Sequence, residues 1–176
     1  MTEDQRTILR HFLAAIAYRT QKALRAAPAD FGSFRAANDV RTPAELIRHM
    51  TSVLGYARTF FLGGEYRPAP LPTFRDEIAR FHDMLQDLGE HIENDTPVPE
   101  GMSAERLLQG PLSDAMTHAG QIAMLRRLAG SPVPPENFIV ADINATRLGA
   151  DQPEPASPDA QWPEAPKTGS PPRQSS

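Results

Sequence analysis

The sequence predicts an all-α protein: a four-helix bundle followed by an extended, Pro-rich C-terminal tail. Three observations carry this. Four stretches repeat apolar residues at steps of three and four, the period of a helix that buries one face. Polar breaks separate them, and no stretch shows the alternation of a half-buried strand. The 18 prolines are uneven: none precedes Pro28, and they gather in the connections and in the tail.

The first helix is expected from about Thr2 to Ala26. Ile8, Leu9, Phe12, Leu13, Ile16 and Ala17 form its stripe, and Leu24 extends it. Thr2 and Asp4 favour its start, where acidic groups complement the helix dipole, and Pro28 helps end it. "ADFGSFRAANDVR" has no clear period and reads as a long connection that packs Phe31 and Phe34.

"RTPAELIRHM" opens the second helix. Thr42 is the N-cap, Pro43 the first helical residue and Glu45 the third, so Thr-x-x-Glu forms a capping box. The stripe then runs through Leu46, Ile47, Met50, Val53, Leu54, Ala57, Phe60 and Phe61 until "GGEYRPAPLP". Thr73 caps the third helix, with Asp76 and Glu77 in its first turn. Phe74, Ile78, Phe81, Leu85, Leu88 and Ile92 form a seam suited to an aligned neighbour. After "NDTPVPEG", Ser103 opens a short helical stretch that Gly110-Pro111 interrupts or kinks. The fourth main helix follows from about Pro111 to Ala129, with Gly130 as its C-terminal cap and Arg126 and Arg127 at the dipole's negative end.

These elements give one domain, residues 1–149, in which "PENFIVADINATRLG" is expected to lie across the bundle. Residues 150–176 have the composition of a disordered Pro/Ser-rich tail, with Trp162 its single anchor.

Composition narrows the chemistry. The net charge is -4 with Lys and Arg scattered, so no basic stripe invites nucleic acid. No apolar run approaches the roughly 20 residues that span a bilayer, so no membrane is expected as a partner. "MTEDQRTILR" lacks the basic start and apolar centre of a signal peptide, and a cytoplasmic location is the default expectation. Cysteine is absent, which removes thiolate ligands and a Cys nucleophile; a metal would have to be held by His, Asp and Glu. No nucleophile–base pair, phosphate loop or dinucleotide fingerprint is present.

Asp114 and His118 stand at i and i+4 on the fourth helix, with Gln121 next along the same line at the edge of the packing stripe. Two readings fit. An exposed Asp–His pair contributes a few tenths of a kcal/mol and is common on helix faces. Alternatively, the two heads converge above the helix and chelate a cation. His49, between Leu46 and Val53, also points near the core. A lone histidine there is more often a hydrogen-bonded core residue, yet a second helix must supply the third ligand of a bundle metal site. His49, Asp114 and His118 would make a two-His, one-carboxylate set with open positions. Glu45 lies one turn before His49, though the capping box already explains it. Tyr56, two turns after His49, is read equally as pocket-lining or as buried with its hydroxyl satisfied. His11, His82 and His91 read as edge or solvated residues.

"RTPAELIRHM" and "DAMTHAGQIAMLRRLAGSPVP" resemble the DinB/YfiT-like superfamily of bacterial four-helix metalloenzymes, over roughly residues 5–135. That family usually reads His-x-x-x-His-x-Gly-Gln in its fourth helix. The resemblance implies that His49 and His118 are metal ligands, that Asp114 replaces the motif's first histidine, and that Gln121 is the motif's Gln. It implies a divalent metal, usually nickel or zinc; the carboxylate shifts preference toward manganese or iron. It further implies a thiol-dependent S-transferase acting on a small-molecule electrophile in detoxification, with a low-molecular-weight thiol as co-substrate and a homodimer as the assembly. A metal-dependent hydrolase is the neighbouring chemistry. A bundle with a degenerate, non-catalytic site acting as a stress-associated binding protein is the rival of another class.

Overall fold

The computed structural model describes residues 1–159; Trp162 and the remainder of the expected tail lie outside the described residues. The protein is all-α. The long helices are α1 (Glu3–Leu24), α2 (Pro43–Leu62), α3 (Phe74–Glu93) and α5 (Ser113–Leu128), with a single-turn α4 (Ala104–Leu107) before α5. Short 3-10 turns occur at Phe31–Ser33 and Phe138–Val140. Among the described residues there is no strand, only an isolated bridge between Glu136 and Pro158. No helix among them is long and apolar enough to cross a membrane.

Local chemistry fixes the helix starts. Thr2 with Gln5, Thr42 with Glu45 and Thr73 with Asp76 each form a reciprocal capping box. Each N-cap threonine contributes about 1 kcal/mol relative to alanine. Pro43 is the first helical residue of α2, where its missing N–H costs nothing.

The four long helices share one core. α1 packs against α3 and α5, and α2 packs against the same two. Leu9, Leu13 and Ile16 face Leu46, Ile47, Met50 and Leu54 of α2, Phe81, Leu85, Leu88 and Ile92 of α3, and Ala115, Ala119 and Ile122 of α5 in one buried cluster. Ile8 departs from the stripe expected of it and is 59% exposed. Successive residues on a helix lie about 100° apart, so only one of Ile8 and Leu9 can face the centre, and Leu9 does.

The chain after α5 returns along the helices. Gly130, with φ 74°, turns it at the end of α5. Glu136 accepts a hydrogen bond from the Tyr18 hydroxyl at 2.6 Å. The Arg19 guanidinium stacks over the Phe138 ring at 3.7 Å. Leu148 is buried against Gly89, where any side chain on the glycine would collide with it. Arg25 donates to the carbonyls of Gln152 and Pro153 at 2.7 and 2.9 Å, so residues at the start of the Pro-rich segment are bonded to α1.

This return path buries His82, read from the sequence as solvated. Its Nδ1 donates to the Leu148 carbonyl at 2.8 Å, and burial holds its pKa below the ordinary imidazole value. His91 is likewise half-covered, stacked on Phe61 and facing Asp87 at 3.5 Å.

Candidate metal centre

Two helices bring the polar groups together, and each is phased by local chemistry. On α2 the Thr42–Glu45 box sets the start, which places His49 on the side facing α5. On α5 the phase is set by a π turn over Leu108–Leu112. Pro111 has no N–H to continue an α-helical ladder, and Gly110 leaves the helical region with φ -93° and ψ -105°. The Ser113 hydroxyl donates to the Leu108 carbonyl at 2.6 Å and closes the wide turn. One inserted residue rotates all that follows by about 100°. The turn therefore determines which residues of α5 meet α2.

The result is a cluster of His49, Asp114 and His118, whose nearest donor atoms all lie within 4.8 Å of one another. His118 Nε2 is 3.3 Å from Asp114 Oδ1, and His49 Nε2 is 3.9 Å from Asp114 Oδ2. The imidazole rings meet edge to face, 4.7 Å between centroids. Side-chain exposure rises from 9% at His118 to 31% at His49 and 48% at Asp114, so the cluster opens outward on the carboxylate side.

Gln121 gives His118 a defined tautomer. His118 Nδ1 donates to Gln121 Oε1 at 2.7 Å, so in the neutral ring the lone pair lies on Nε2. That Nε2 is buried and has no hydrogen-bond partner. A buried polar atom without a hydrogen bond costs about 1–3 kcal/mol, and here it lies 3.3 Å from Asp114 Oδ1. His49 has its pKa lowered, first by burial and then by Arg41 and His118, with Asp114 acting in the opposite sense. Its neutral form is favoured, which is the form that ligates.

The donor set could hold a divalent cation. Bonds of about 2.1 Å put donor atoms roughly 3–3.5 Å apart, a separation that His118 and Asp114 already have. Two imidazoles and one carboxylate leave positions for a further ligand, as in sites that bind substrate.

Three surface cavities adjoin the cluster, one at each donor. Asp114 borders a cavity of about 680 Å³ with Ser52, Tyr56 and Pro111. His118 and Gln121 border an apolar one of about 570 Å³ with Leu46, Met124 and Leu128. His49 borders a third, of about 550 Å³, rich in arginine.

The six residues named from the sequence thus fall in three places. His49, Asp114 and His118 form the cluster, with Gln121 bonded behind it. Tyr56 is exposed and lines the Asp114 cavity. Glu45 is occupied by the Thr42 N–H at 2.7 Å and faces Arg35, on the wall of the arginine-rich cavity. Sequence reasoning missed the arginines themselves. Arg35, Arg41, Arg48 and Arg67 come from two loops and a helix, so no periodicity joins them.

The chain matches no family model, and no curated protein or solved structure matches it.

Proposed function

We propose that the protein is a DinB-like four-helix bundle that uses a divalent metal at His49, Asp114 and His118 to transfer a small cellular thiol to an electrophilic substrate. The observation that carries the reading is the convergence of His49, Asp114 and His118, whose donor atoms lie within 4.8 Å of one another, with His118 Nδ1 committed to Gln121 and its Nε2 3.3 Å from Asp114 Oδ1. His82 also keeps a buried Nε2 without a hydrogen bond; His118 differs in having donor atoms of Asp114 and His49 beside it.

A bound divalent cation would supply Lewis acidity, lowering the pKa of a thiol that reaches the open position. The residues prepare the site for it. Gln121 holds the His118 ring in the ligating tautomer. Burial and Arg41 lower the pKa of His49 and so favour its neutral form. Asp114 adds a negative charge and a hard oxygen donor, which favours manganese or iron over softer ions. In the transfer, the thiol loses its proton to solvent, the sulfur forms a bond to the electrophilic carbon, and the leaving group departs with its electron pair.

Elemental analysis of untagged protein purified without chelators tests this, comparing wild type with His49→Ala. Near-stoichiometric metal in the wild type, lost in the variant, supports the reading and opens thiol-transfer assays on the metal-loaded protein. Absence of metal from both, even after soaking with manganese, iron, nickel and zinc, refutes it in favour of a non-catalytic binding protein.

A further inference from the structure

The cavity beside His49 gathers positive charge in a chain that is net -4. Arg35, Arg41, Arg48 and Arg67 line it against two carboxylates, Asp39 and Glu45. The pairing of these arginines is incomplete. Arg35 is engaged, facing Glu45 at 3.5 Å and donating to the Val40 carbonyl at 2.7 Å. Arg48 shares the buried Glu77 with Arg80, so one carboxylate answers two cations. Arg67 pairs with Glu65 at 3.2 Å, where both side chains are strongly exposed and the contact contributes little. Arg41 has no hydrogen bond or ion pair among the described residues, and it stands close enough to His49 to disfavour the imidazolium.

The walls are held in place. Glu77 accepts from the Leu71 N–H at 2.9 Å, and Arg80 donates to the Ala69 carbonyl at 2.8 Å, which pins the loop after α2. Tyr66 packs so closely on Gly55 that any side chain there would run into its ring. Arg67 and Pro68 are thereby carried over the α2 surface. On the other side, buried Phe31 anchors the connection that supplies Arg35 and Arg41.

We propose that this cavity is an oxyanion subsite. It takes a carboxylate or phosphate group of the substrate, with Arg41 as the principal contact and Arg48 and Arg67 in support. Guanidinium forks match both groups bidentately. The rest of the molecule is directed past His49 to the cluster. This last point, that the anion belongs to the substrate of the metal centre, rests on the function proposed above; the anion subsite itself is read from the arginines alone.

Isothermal titration calorimetry on the full chain at low ionic strength tests it, with inorganic phosphate and glutarate as probes and neutral glutaramide as the control. The variants are Arg41→Gln, His118→Ala and Arg75→Gln, an exposed arginine outside the cavity. At least one anion is expected to bind saturably and glutaramide not at all, the tighter anion identifying the group. Arg41→Gln should weaken binding about tenfold, the effect of losing a charge-assisted contact, while Arg75→Gln and His118→Ala leave it unchanged. No saturable anion binding, or equal weakening by Arg75→Gln, overturns the subsite. Anion binding abolished by His118→Ala places the anion on the metal, overturning the subsite while upholding the metal. Arginine-dependent binding in a chain that takes up no metal even after soaking with manganese, iron, nickel and zinc upholds the subsite and sinks the metal reading.

Discussion

Helix α5 carries two buried polar side chains about two turns apart, Arg126 and His118, and their surroundings differ. The Arg126 guanidinium is closed on every side. Its Nε donates to the Ser131 carbonyl at 2.8 Å, Nη1 to the carbonyls of Ala23 and Arg25 at 3.0 and 2.9 Å, and Nη2 to the Ser131 hydroxyl at 2.9 Å. It thereby satisfies carbonyls at the C-terminal end of α1, where the dipole is negative and backbone acceptors lack partners. His118 is hydrogen-bonded on one side only, its Nδ1 on Gln121, while its Nε2 makes no hydrogen bond and faces the half-exposed Asp114 carboxylate at 3.3 Å. Both side chains lose water on folding. A complete set of partners recovers that cost and makes Arg126 a structural tie between α1 and α5. An incomplete set leaves a cost that folding alone does not recover, and that is what a ligand could recover at His118.

The contrast can be broken by variants on either side. The largest effect is expected at His118→Ala, which removes a ligand: metal affinity should fall by more than about 100-fold, with helix content unchanged. Metal analysis beside circular dichroism checks this, and a large loss of helix would make His118 a second structural tie. Arg126→Ala should do the opposite. Stripping the α1 carbonyls of their donors should cost about 3 kcal/mol in urea denaturation, with metal per folded molecule unaltered. A cost within about 0.5 kcal/mol, typical of a surface change, would remove the distinction.

Gln121→Leu sharpens the comparison. It frees the His118 tautomer without touching a ligand, so metal affinity should drop about tenfold and stability little. An unchanged affinity would mean that Gln121 does not orient the ring.

The smallest effect is the response to acid. Burial is the first cause holding His49 and His82 below the ordinary histidine value of 6.5. The unfolded chain then binds protons that the folded chain refuses. Stability from these groups is lost as pH falls below that value, and the loss levels off once pH is under the depressed folded values. Thermal melts of metal-free protein between about pH 7.5 and 5.5 should show the decline. His82→Gln keeps a donor for the Leu148 carbonyl and should flatten it; equal slopes would count against burial as the cause.

Much of the fold was legible because the information is local. Thr2, Thr42 and Thr73 each sit three residues before a side chain that completes a capping box, and that geometry needs no distant partner. Leu46, Ile47, Met50, Leu54 and Ala57 of α2 and Phe81, Leu85, Leu88 and Ile92 of α3 are buried as spacing alone predicts, because a helix has one buried face, while Val53, Phe60, Phe61, Phe74 and Ile78 of the same stripes are only partly buried. The i, i+4 relation of Asp114 and His118 was readable for the same reason, and His49 could be named as a candidate. Whether the three meet was not, because that depends on the rotation of α5 against α2. The π turn at Leu108–Leu112 sets this rotation, and sequence shows only as Gly110-Pro111 that a break is there.

Three features belong to tertiary structure alone. Arg126 reads locally as a complement to its own helix dipole, yet it spans to the carbonyls of α1. His82 reads as solvated because the segment that covers it, ending in Leu148, lies far along the chain. The arginine cavity is assembled from two loops and α2, each with an unremarkable sequence. Capping and helical periodicity act within a few residues, so the sequence by itself determined the helices and their buried faces. Partner choice for a long polar side chain is settled by which backbone and which charges packing brings within reach. Only the tertiary structure could therefore decide which polar groups are closed off and which remain open to a ligand.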